Sequence, residues 1–205
     1  MPAEVDIINV ALRKVGATPI TSRSSGTKTA NAADDLYDEV RDALLRSHPW
    51  NFATKRVKLA RIVTTPVYEY DYGYALPSDW MRTIQVSDND QGVSSITHTM
   101  EIVASARAVL CNAEDVYLRY VSRVSDPNLM AADFRYALAT WLAKDLAVPI
   151  ASSNSLHEAL AFELKVAIAK ASSSDAAGAP AERRPRGSWA NSRSGNQFGT
   201  GIWPR

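Results

Sequence analysis

The chain has one cysteine, Cys111, and three histidines, His48, His98 and His157, among 205 residues. A single cysteine excludes an intrachain disulfide and any thiolate cage for a metal, and fits a protein folded in a reducing cytoplasm. Three histidines spread over separate elements make a poor metal set. His157-Glu158 starts a zincin-like pattern, but position 161 is alanine, so the second imidazole is missing. No G-x-S-x-G elbow occurs. Gly26-Thr27-Lys28-Thr29 resembles the end of a phosphate loop, yet Thr21 stands where the first glycine is needed and no strand precedes it. Glu158 and Glu163 could pair as general acid and base, as carboxylates on any acidic helix face could, and nothing selects them. No cofactor is implied. The first residues lack a basic segment followed by an apolar run, and no stretch approaches the ~18 apolar residues of a membrane span, so the expectation is a soluble protein with no membrane partner.

Charge is also scarce on balance. The net charge is +1, made of a body at −2 and a segment from Ser172 onward at +3. A nearly neutral body does not read as a DNA binder, because phosphate affinity needs clustered Lys and Arg. With 46% hydrophobic residues the chain can build one domain with a real core, plus an appendage.

What is present is periodicity. Val5, Ile8, Leu12 and Val15 mark a helix over about 3–15, closed by Gly16 and Pro19. From Thr27 the residues Ala30, Ala33, Leu36, Tyr37, Val40 and Leu44 recur at helical spacing, with Asp34, Asp35, Asp38, Glu39 and Asp42 filling the other side. Thr27 or Thr29 caps this helix of about 27–48, His48 lies near its last carbonyls, and Pro49 forces a turn that Trp50 and Phe52 pin as core anchors before a strand begins. Between about 51 and 124 the period becomes two. Tyr68, Tyr70, Tyr72 and Tyr74 read as one face of a strand, packing in a sheet or meeting a neighbouring subunit. Further strands are expected at Met81–Val86, Met100–Val103, Ala108–Cys111 and Asp115–Val124, with Cys111 a small core residue. Two more helices are expected over 129–148, lined by Phe134, Leu138, Trp141 and Val148, and over 155–171, lined by Leu156, Leu160, Leu164, Ala167 and Ala171. They join at Val148-Pro149-Ile150.

The expected fold is α+β: an antiparallel helical bundle (body, 1–171) with an inserted antiparallel β subdomain and an extended C-terminal tail (172–205). The tail is rich in Ser, Gly, Ala, Pro and Arg and has no apolar period, so alone it should be disordered. Within it Arg183, Arg184, Arg186, Trp189, Phe198 and Trp203 are residue types that anchor interfaces, and they are the candidate partner-binding residues.

Four segments carry a resemblance. They are TKTANAADDLYDEVRDALLRSHPWNFATK (27–55), INVALRKVGATPITS (8–22), LPSDWMRTIQV (76–86) and VYLRYVSRVSDPNLMAADFRYALATWLAKDLAVPIASS (116–153). In this order they resemble the phage head-to-tail adaptor family, the tail tubular protein A type found between portal and tail in short-tailed phages. The tail from Ser172 matches no such pattern. The resemblance implies a structural virion protein without enzymatic activity, made in the host cytoplasm. It would form a dodecameric ring that docks on the portal protein, carries the tail nozzle protein and continues the DNA channel without sequence-specific binding. Under that reading Asp34, Asp35, Asp38 and Asp42 are candidate channel-facing acids, keeping DNA from sticking by like-charge repulsion. Two rivals remain: a virion-borne peptidoglycan hydrolase, needing a carboxylate pair in a cleft, and a DNA-binding module acting through the basic tail.

Overall fold

The computed structural model describes residues 3–64, 66–92, 95–103 and 105–178. Among them are four helices, α1 (Glu4–Lys14), α2 (Lys28–Ser47), α3 (Ala132–Ala151) and α4 (Asn154–Gly178). Six strands lie between α2 and α3: β1 (Thr54–Lys58), β2 (Tyr72–Ala75), β3 (Trp80–Ser87), β4 (Thr99–Val103), β5 (Ala106–Cys111) and β6 (Tyr117–Ser122). The class is α+β. The strands form two antiparallel three-stranded sheets, ordered β1-β6-β3 and β2-β5-β4, where a single insertion had been expected. No helix of the described residues is long and apolar enough to cross a membrane.

Helix ends follow their chemistry. Thr27 Oγ1 accepts the Ala30 amide at 3.2 Å and starts α2. Gly16, at φ +72°, takes the left-handed turn after α1 that a side chain would resist. The main apolar cluster joins Ile8, Leu12, Ala33, Tyr37 and Leu44 to Phe134, Leu138, Leu142 and Leu146 of α3, and Leu160, Ala167 and Ala171 of α4 close it. Helix α3 packs against α1, α2 and α4 at once. A smaller cluster between the sheets holds Leu59, Tyr74, Val86, Val109, Cys111, Leu118 and Tyr120.

Four expectations need correction. The α3 helix does not end at Val148 but runs through Pro149 to Ala151, stopping at Ser152 in the left-handed region. Pro149 is exposed and lies in the last turn, so the one bond it removes leaves a carbonyl that water can reach. Nor is α3 lined on one face by Phe134, Leu138, Trp141 and Val148. Val148 is 47% exposed, while Ala137, Ala139, Ala143 and Ala147 are buried, because small residues let three neighbours approach one helix.

The tyrosine ladder is not one strand either. Glu69 takes φ +71°, which extended backbone cannot hold, so only Tyr72 and Tyr74 lie in β2. The Tyr74 hydroxyl donates to the carbonyls of Ala113 and Glu114, both at 2.6 Å, whereas Tyr68 is 78% exposed. Finally, the tail does not begin at Ser172. Helix α4 continues to Gly178, since Asp175 takes the next place on the stripe of Leu164, Ala167 and Ala171 and is held there by polar contacts.

One lock ties α1 to the last two helices. Glu163 accepts from Lys14 Nζ and from the Tyr136 hydroxyl, and Lys14 also sits 4.5 Å from the Tyr136 ring centre. The Lys14 hydrogen bond, then that of Tyr136, holds the Glu163 carboxyl below its ordinary range. Asp79 behaves likewise: burial pushes its pKa up, but hydrogen bonds from Lys55 and Tyr120 outweigh that and leave it lowered. A carboxyl lowered by folding stabilises at pH above its ordinary value and loses that contribution as pH falls through its folded value. The melting temperature should therefore fall on acidification below about pH 4 to 5. Glu163→Gln should flatten that acid limb, as thermal melts across pH would show. An unchanged slope would mean that the lock does not couple protonation to folding.

Candidate functional site

Two places bring the sequence candidates into view: the acidic side of α2, and the corner where α2 ends against the last turns of α4. On α2 the acids are not a bare wall. Arg23, from the loop before the helix, donates through Nε to Asp34 and through Nη1 to Glu4 at 2.6 Å, with Nη2 3.5 Å from Asp38. Arg41, only 5% exposed, holds Asp38 at 2.8 Å and Asp42 at 2.9 Å, and Arg123 reaches Asp42 at 2.6 Å. Three arginines from three separate stretches thus neutralise Asp34, Asp38 and Asp42. Asp35 and Glu39 are exposed, one turn apart, and enter no ion pair among the described residues. Any electrostatic wall presented by α2 reduces to these two. Sequence spacing could not reveal the lattice, because nothing in a helical repeat identifies a partner 80 residues away.

At the corner, His48 turns extended, as its position before Pro49 requires. Trp50 is 1% exposed and its Nε1 donates to the Leu44 carbonyl at 2.9 Å, satisfying a carbonyl of the last helical turn. The Phe134 ring lies edge-on to Trp50 at 5.1 Å and to Phe52 at 5.0 Å. Trp50 is a core anchor as expected, and Phe52 is half-buried beside it.

Asp175 closes the corner from α4. Both its carboxylate oxygens accept the Asn51 amide at 3.1 Å, Asn51 Nδ2 donates to the Asp175 carbonyl at 2.6 Å, and His48 Nε2 stands 3.4 Å from Oδ2. Sequence reading missed this clasp because it placed Asp175 in the tail. Arg183, Arg184, Arg186, Trp189, Phe198 and Trp203 lie outside the described residues, but the clasp fixes where their segment departs, three residues beyond Asp175.

Catalytic chemistry finds little to build on. The acids with displaced titration, Asp79, Asp126 and Glu163, are all displaced downward, whereas a general acid working near neutrality needs the opposite. Among the described residues no group of three or more His, Cys, Asp or Glu side chains converges as a metal set would. Cys111 is buried, and burial pushes its thiol up, away from nucleophilic form. No protein-family model matches the chain, and no curated protein is similar to it in sequence.

Proposed function

We propose that the protein is a structural component of a phage virion, a head-to-tail adaptor that joins portal to tail nozzle as a ring and continues the DNA channel. The observation that carries this reading is where the four resembling segments fall. They supply α1, α2 with its Trp50 corner, β3, and β6 with α3, and their side chains meet in one apolar cluster. The resemblance thus covers the residues that specify the body rather than scattered surface positions. On this reading the body is an antiparallel bundle carrying the β subdomain toward the tail, and the segment beyond Gly178 docks on a neighbouring ring. Exposed Asp35 and Glu39 are the acids of α2 left to face DNA. The downward-displaced carboxylates disfavour the hydrolase. The neutralised lattice on α2 and the near-neutral body disfavour a general DNA binder.

Mixing the purified protein with its portal and viewing the mixture by negative-stain microscopy tests the reading. Rings on portals are expected, while the free protein at micromolar concentration should sediment as a monomer, because a ring formed early would compete with ordered assembly. Portals that remain bare, or a free chain that already forms stable rings, would each count against it.

A further inference from the structure

The two surfaces of the β region that the fold leaves uncovered are opposite in character. The first is the solvent side of the sheet β1-β6-β3. In register across it, Arg56 faces Arg119, which faces Gln85, and one step along Lys58 faces Tyr117, which faces Ser87. These six line a groove of about 360 Å3 whose far wall is the turn Asn89–Gly92. Cations on an edge strand ordinarily guard it against pairing with other chains. Arg directly opposite Arg goes further, since like charges across a ladder cost stability that an anionic occupant would return. Lys58 is paired with Asp115 at 2.8 Å and Asp90 lies in the wall, so the positive character is concentrated at the Arg56–Arg119 pair. The chain's own basic tail, leaving beside the same strands, has the wrong sign to fill it.

The second surface is the turn before β2. Val67 is 98% and Tyr68 78% exposed, Glu69 and Asp71 are exposed, and no residue of this turn lines the groove of its own chain. Yet the turn is fixed. The Tyr70 hydroxyl is 2.9 Å from Thr99 Oγ1, the Asp71 amide donates to Asn112 Oδ1 at 2.9 Å, and Glu69 is held at positive φ. Backbone strain held in place around a projecting Tyr-Glu pair presents both side chains with little ordering left to lose.

We propose that the turn 67–71 of one copy seats in the Arg56–Arg119 groove of the next, with Glu69 and Asp71 meeting the arginines and Val67 and Tyr68 covered by the contact. The two patches are different parts of one chain, so the contact is head-to-tail, and repetition gives a ring if the rotation closes. This inference rests on the ring reading above and supplies its subunit contact.

A charge-reversal pair tests it. The variants E69K/D71K and R56E alter exposed side chains and should melt with the wild type. Each alone opposes like charges at every contact, whereas an equimolar mixture makes every contact complementary again. The readout is zero-length carbodiimide cross-linking of the free chain at sub-millimolar concentration and low salt, with one member of each mixture isotopically labelled so that intermolecular links are identified by mass. Wild type should link Glu69 or Asp71 to Lys58 of another copy. Each single variant should lose roughly tenfold in yield, and the mixture should regain it, with new links from the lysines introduced at 69 and 71 to the acid introduced at 56. Failure of the mixture to recover, or single variants that link as wild type does, would overturn the proposal. Retention of a labelled oligonucleotide that R56E abolishes, with no loop link, would assign the groove to phosphate instead. Portal-bound rings without these links would sink this contact alone; links without portal rings would sink the adaptor reading and leave the contact.

Discussion

Trp50→Ala is expected to destabilise the protein by about 3–5 kcal/mol, a large part of the ~5–15 kcal/mol that holds a typical domain folded. The indole is fully enclosed, packs edge-on against Phe134, and satisfies the Leu44 carbonyl at the end of α2. Truncation therefore opens a cavity where three helices meet and orphans a backbone acceptor. Thermal melting measures the loss, and a variant melting within a degree or two of wild type would show that the corner carries little of the fold. Phe52→Ala should cost less, because Phe52 is only half-buried.

Two truncations are expected to behave differently. Removing residues 179–205 should leave a soluble, fully folded body that no longer docks stably on the portal, since Arg183, Arg184, Arg186, Trp189, Phe198 and Trp203 go with it. Weak contacts from such a segment become strong only when a ring multiplies them. Removing residues 172–205 should also destabilise the body by roughly 1–3 kcal/mol, because it takes Asp175 and leaves the Asn51 amide without its acceptor. Co-sedimentation with portal reads the first effect and denaturant unfolding the second. Undiminished docking by the shorter truncation would place the essential contacts in the helical body and give the tail another partner. Equal stability of the two truncations would mean that the clasp is incidental.

Much of the fold was legible where period and punctuation agreed. Val5, Ile8 and Leu12 before Gly16, and Ala33, Tyr37 and Leu44 between Thr27 and Pro49, mark α1 and α2 to within a residue or two. The strands from Trp80, Thr99, Ala106 and Tyr117 lie where alternation put them. Legibility failed where one residue carried two messages. Pro49 and Pro149 look alike in sequence, yet the first ends a helix and the second rides inside one, because only the second sits where a lost bond faces water. Alternation at Tyr68–Tyr74 described a strand that Glu69 interrupts. Asp175 looked like the start of a solvated tail because a buried carboxylate on an apolar stripe is readable only once Asn51 stands opposite it. The acids of α2 were visible singly, but Arg23, Arg41 and Arg123 had first to be brought together by the fold.

The central place of α3 sets the order in which the chain can be finished during synthesis. The strands between Thr54 and Ser122 pair only with one another, so that region can close as soon as it has left the ribosome. Helices α1 and α2 emerge earlier but find their main partner only in α3, which begins at Ala132. Until then Ile8, Leu12, Tyr37 and Leu44 have no complete shelter. The earliest residues to be made are thus among the last to be settled, and the nascent chain passes through a stage in which a formed β module carries two helices still waiting for their third.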